Sequence, residues 1–77
     1  MPTAFVFINS EPVSMPEVLK AIRAVDGVKG AEMVYGVYDI VAEVETETMD
    51  QLKHIIAYKL RALPKVLSTQ TLLVVRQ

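Results

Sequence analysis

The sequence predicts an α+β domain in the order β-α-β-β-α-β, and three observations carry that prediction. Short β-branched and aromatic runs alternate with longer segments of helical period. A capping-box pattern stands ahead of each helical segment. The two helix-to-strand joints, Val25-Asp26-Gly27-Val28 and Leu63-Pro64-Lys65-Val66, match one another at corresponding places in the two halves. At 77 residues the chain has the size of one domain, so residues 1–77 share one core.

Residues 3–9, TAFVFIN, form the first predicted strand, a β-branched and aromatic run that ends in Asn-Ser-Glu-Pro turn chemistry. Ser14 and Glu17 then have capping-box spacing, in which each side chain satisfies the other's free backbone N–H. Pro16 is tolerated because it sits in the first helical turn, where its missing N–H has no helical partner. Val18, Leu19, Ile22 and Val25 share one helical face, and Asp26-Gly27 supplies the stop. Residues 28–35 alternate as a second strand, Gly36 marks a turn, and residues 38–45 make a third strand, so a hairpin results. Thr48 and Gln51 repeat the capping box. Met49, Leu52, Ile55, Ile56, Leu60 and Leu63 form the buried stripe of a second helix that stops before Pro64. Ser68 to Arg76 is the final strand. Two β-α-β halves joined by a hairpin give the ferredoxin-like arrangement, a four-stranded antiparallel sheet with both helices on one face.

That architecture raises a difficulty the composition also raises. A chain this short usually needs a disulfide, a metal or a partner, and cysteine is absent. Hydrophobic residues make up 52% of the chain and charged residues 22%, a balance that favours oligomerisation over a lone monomer with a dense core. With helices on one side only, each strand should be apolar on one face and polar on the other. Instead, the first strand offers Phe5 and Phe7 to one face and Ala4, Val6 and Ile8 to the other. The last strand offers Leu72 and Val74 to one and Leu73 and Val75 to the other. A wet second face would be a larger apolar patch than monomers tolerate, so the sequence predicts a dimer.

Other classes are disfavoured. The formal net charge is -1 with no Lys/Arg run, which argues against direct nucleic-acid binding. The apolar stretch from Ala4 to Ile8 is too short for a signal peptide or membrane span, and the chain is expected to be cytoplasmic, with no membrane contact. No His/Cys/carboxylate set has metal-ligand spacing, no Ser or Thr has a histidine close by, and the glycines are scattered, so no metal, cofactor or catalytic residue is expected. His54 lies one step outside the buried stripe and reads as a solvated residue. Glu43, Glu45 and Glu47 alternate to one side and read as a solvated edge.

The cluster Tyr35-Gly36-Val37-Tyr38-Asp39 is more informative, being polar and aromatic in an otherwise apolar chain. Gly36 permits a positive φ that brings backbone close to a ligand or partner. Asp39 offers a carboxylate to an ammonium group, and Ser68, Thr69 and Thr71 offer hydroxyls to a carboxylate. From these residues alone the plainer reading is preferred, in which Gly36 serves the turn, Asp39 caps backbone and the threonines are ordinary strand residues.

Taken in order, the first apolar strand, Val25-Asp26-Gly27-Val28, Gly36-Val37-Tyr38-Asp39-Ile40, and Leu63-Pro64-Lys65-Val66 leading to Thr69-Gln70-Thr71 and a terminal Leu-Leu-Val-Val run cover nearly the whole chain. So ordered, the chain resembles the effector-binding and oligomerisation (RAM) domain of the Lrp/AsnC transcriptional regulators. The resemblance implies homodimers joined through their sheets, association of dimers into octamers or similar rings, and amino-acid binding between dimers. It makes Gly36, Tyr38, Asp39, Thr69 and Thr71 the candidate ligand-binding residues. Full-length members begin with a helix-turn-helix DNA-binding domain, whereas here Met1-Pro2 runs directly into the first strand. The expectation is therefore a stand-alone sensor that acts indirectly, through mixed assembly with a full-length regulator or through control of ligand availability. Two other readings use the same fold: a dimeric α+β barrel enzyme with Tyr38, His54 and Asp39 as acid or base, and an interaction module with no ligand. An RNA-recognition module fits worst, because Phe5 and Phe7 have no basic neighbours.

Overall fold

A computed structural model describes residues 1–75. Its elements are β1 (Thr3–Ser10), a 3-10 turn (Pro12–Ser14), α1 (Met15–Arg23), β2 (Val28–Met33), β3 (Ile40–Glu45), α2 (Met49–His54) continuing into a π-helical segment (Ile55–Leu60), and β4 (Val66–Leu73). The sheet is four-stranded in the order β2-β3-β1-β4 with every pairing antiparallel, the predicted ferredoxin-like arrangement. The last strand ends at Leu73, although Val74 N–H still donates to Thr3 C=O at 2.9 Å. The sequence placed its end at Arg76, which lies outside the described residues.

Strand alternation places the core. Ala4, Val6 and Ile8 of β1 stand beside Val44, Ala42 and Ile40 of β3, all fully buried. Against them pack Val18, Leu19 and Ile22 of α1 and, from the second helix, Leu52 and Leu60. Each fully buried Ile or Leu contributes about 1.5–3 kcal/mol over its exposed state. Val25, Ile55, Ile56 and Leu63 fill in as partly buried neighbours.

The two helices begin differently. Thr48 accepts from the Gln51 N–H at 3.2 Å while the Gln51 side chain accepts from the Thr48 N–H at 3.2 Å, completing the predicted capping box. Ser14 makes no side-chain cap. The preceding 3-10 turn holds it at φ -93° and ψ 0°, outside the extended region from which a cap residue reaches the third N–H. The second helix departs from its expected course as well. Beyond His54 it widens into a π segment, and Arg61 N–H reaches back to Ile56 C=O at 3.1 Å. Met49, expected in the buried stripe, is exposed.

Both helix-to-strand joints are turns with a left-handed third residue, Gly27 at φ 99° and Lys65 at φ 74°. In each, the fourth residue donates to the first: Val28 N–H to Val25 C=O and Val66 N–H to Leu63 C=O. The sheet edges are unlike. At the β2 edge, Ala31 pairs with Ala42 between hydrogen-bonded positions, since Val34 N–H bonds Asp39 C=O and the ladder alternates from there. Ala31 C=O consequently points outward, and the Arg23 guanidinium grips it at 2.8 and 3.0 Å. A bulge at Lys29 and the charges of Lys29 and Glu32 further disrupt this edge. Val66–Leu73 carries no charged residue.

Candidate functional site

Gly36, Tyr38 and Asp39 lie toward one end of the sheet, where β1 finishes and the β2–β3 hairpin turns. The hairpin loop is closed by the Val34–Asp39 bond at 2.9 Å, and Gly36 at its tip has φ 132°. A side chain added there would meet open space, so the turn geometry, not crowding, demands glycine. Tyr35 and Val37 are exposed. Tyr38 folds back to lay its ring on Phe7, centroids 5.6 Å apart, on the sheet face away from the helices. Asp39 is tied to β1: its N–H donates to Ile8 C=O at 2.9 Å and its carboxylate accepts from Ser10 N–H at 3.0 Å. One carboxylate has about four acceptor positions, so this bond leaves capacity for a cation.

Thr69 and Thr71 lie elsewhere. They stand opposite Ile8 and Val6, and their side chains share the helix-covered face. There they line a groove of about 580 Å3 along the outer edge of β4, together with Ile56, Arg61, Val66 and Gln70. Ladder phase fixes what the edge presents. Val74 N–H bonds Thr3 C=O, so counting back in twos makes Leu72, Gln70 and Ser68 the residues bonded to β1. The N–H and C=O groups of Thr69 and Thr71 then face outward, into the groove. Ser68 is on the opposite face, its hydroxyl accepting from Asn9 Nδ2 at 3.0 Å.

The chain thus brings Thr69 and Thr71 together, holds Gly36, Tyr38 and Asp39 on one hairpin, and does not join the two sets in one groove. Arg61 is the groove residue that sequence reasoning missed. A lone arginine in the last turn of a helix ordinarily signals no more than a favourable C-terminal charge, so nothing in the pattern marked it.

His54 is exposed, its ring 5.1 Å from that of Tyr58. It borders an open hollow with Gly27, Glu45 and Asp50, toward the opposite end of the sheet from Tyr38 and Asp39. Glu45, expected to be merely solvated, accepts from Thr3 Oγ1 at 3.4 Å and pairs with Lys29 at 3.8 Å. Among the described residues, no group of three or more His, Asp or Glu side chains is placed to hold a metal, and no helix is long and apolar enough to cross a membrane.

The family model of the Lrp/AsnC ligand binding domain matches residues 3–77. In the crystal structure of FFRP-DM1, 35% of the aligned residues are identical, covering 97% of this chain and 100% of that one, with a TM-score of 0.93. Hypothetical protein PHS023 from Pyrococcus horikoshii is 34% identical over 100% of this chain and 93% of its own, with a TM-score of 0.91. AsnC of E. coli is 26% identical with a TM-score of 0.89; the match takes 99% of this chain but 52% of AsnC, about half its length. No curated protein matches the chain.

Proposed function

The chain belongs to the Lrp/AsnC ligand-binding domain family, and from that membership we propose that it binds an amino acid, self-associates and has no catalytic role. The family match over residues 3–77 is the observation that carries this reading. A regulator of Neisseria meningitidis, NMB0573, alike in fold at a TM-score of 0.86 and 15% identity, is solved as a complex with L-Met, which makes L-methionine the first amino acid to try.

Self-association follows from the uncovered face of the sheet. Phe5 and Leu72 are cross-strand partners there, 38% and 51% exposed, with Phe7 and Val41 half-buried beside them. A second copy laid sheet to sheet would remove this apolar surface from water. Within the assembly, the effector's carboxylate sits at Thr69 and Thr71 and its ammonium is met by Asp39. Because one chain keeps those groups in separate places, the complete pocket is shared between copies, and binding is coupled to assembly through differential affinity for the associated state. With a net charge of -1 and no basic run, any effect on transcription is exerted by co-assembly with a regulator that carries its own DNA-binding domain.

The enzyme reading would need His54 beside Tyr38 and Asp39, whereas the histidine is exposed near the other end of the sheet. Light scattering of the purified protein, alone and with each of the twenty amino acids, tests the proposal. A dimer or a multiple of dimers whose mass or melting temperature responds to one amino acid supports it. A monomer indifferent to all twenty overturns it.

A further inference from the structure

Three cations at the sheet margins are engaged: Arg23 on Ala31 C=O and Glu32, Lys29 on Glu45, and Lys65 on Glu11. Arg61 differs. Its backbone N–H is taken by Ile56, but among the described residues its guanidinium makes no hydrogen bond or ion pair, and it lines the β4 groove. The same groove is lined by Thr69 and Thr71, which bring their outward N–H groups and two hydroxyls to it. A guanidinium sharing one groove with a row of N–H and O–H donors can receive a planar anion, since a carboxylate accepts two parallel bonds from arginine and has lone pairs left for the strand.

We propose that Arg61 is the residue that makes a free carboxylate a requirement for binding in this groove, its guanidinium holding the carboxylate against the Thr69 and Thr71 donors. This deepens the effector reading and rests on it for the identity of the ligand as an amino acid. The ligand's side chain then runs toward Ile56 and Val66, the apolar part of the lining.

The test is an amide NMR titration of the full chain and of Arg61→Gln and Arg61→Lys, with L-methionine, L-methioninamide, and the other amino acids in turn. In the wild type, the acid shifts the Thr69 and Thr71 amides and binds at least tenfold more tightly than the carboxamide. Arg61→Gln brings the two within about twofold of each other by weakening the acid alone, and Arg61→Lys recovers part of the preference. An acid-to-amide preference unchanged in Arg61→Gln, or amino-acid binding that leaves the Thr69 and Thr71 amides unmoved, overturns the assignment while leaving the effector reading standing. If no amino acid binds, the effector reading fails, and sodium acetate decides the groove. Shifts at Thr69 and Thr71 that are lost in Arg61→Gln sustain the anion site, and their absence in the wild type removes it. Arg61 is exposed, so equal melting temperatures for the three proteins are expected and separate lost binding from lost fold.

Discussion

Lys65 repeats the backbone conformation of Gly27: each is the left-handed third residue of the turn that carries a helix into a strand, at φ 74° and φ 99°. The glycine adopts it without strain, whereas a residue with a Cβ held there costs on the order of 1–3 kcal/mol. Lys65→Gly is therefore expected to stabilise the fold by about 0.5–1 kcal/mol after the extra flexibility of an unfolded glycine is charged against it. The lost pair with Glu11 is exposed and contributes little. Gly27→Ala acts in the opposite direction, because an alanine at φ 99° is strained and its Cβ, 2.7 Å from Ile55 Cδ1, would also push that side chain aside. Thermal unfolding of the two variants should move to opposite sides of the wild type.

The two helix starts make a second contrast. Thr48→Ala removes a cap bond that is present and should lower stability by about 1 kcal/mol. Ser14→Ala removes none and should change it by less than about 0.5 kcal/mol. Urea denaturation of both variants distinguishes them, and equal losses would mean that Ser14 caps in solution after all.

Those starts also mark where the sequence was readable. Thr48 and Gln51 share their spacing with Ser14 and Glu17, but spacing says nothing of the cap residue's own φ and ψ, and the Pro12–Ser14 turn set those. The β1 and β3 alternation was plain because Ala4, Val6, Ile8 and their partners must all meet the helices. The widening at Ile55–Leu60 was hidden, since the apolar residues that line an α-helix over those positions also line a π turn. Gly36, Tyr38 and Asp39 are candidates through turn chemistry and resemblance together. Their separation from Thr69 and Thr71 depends on strand order and on which face each pair occupies, which no local pattern records.

On the uncovered face, Phe5→Asp and Leu72→Asp each place a charge where the proposed sheet-to-sheet contact would bury it unpaired, while touching none of the fully buried core. Each is expected to shift the assembly toward monomer, by tenfold or more in dissociation constant, with the far-ultraviolet spectrum of the fold retained. Analytical ultracentrifugation reads the outcome, and an unchanged mass would place the interface elsewhere.

His54→Ala should leave stability within about 0.5 kcal/mol of wild type and amino-acid affinity unchanged, because the ring is exposed and touches Tyr58 alone among the aromatic residues. Calorimetric titration with L-methionine checks it. A loss of binding would revive a role for the histidine in the ligand site.

The grip of Arg23 on the Ala31 carbonyl reaches beyond one strand. A sheet with two open margins can add copies head to tail without limit, as fibres do. Here the β2 margin is obstructed at Ala31 by a guanidinium and broken by a bulge, so backbone pairing between copies would be left to β4 meeting β4, in competition with a ligand on Thr69 and Thr71. Such a contact is twofold by construction and uses up both open margins at once, so it terminates at a pair. Arg23 and the bulge together thereby take away one of the two margins on which open-ended strand addition depends.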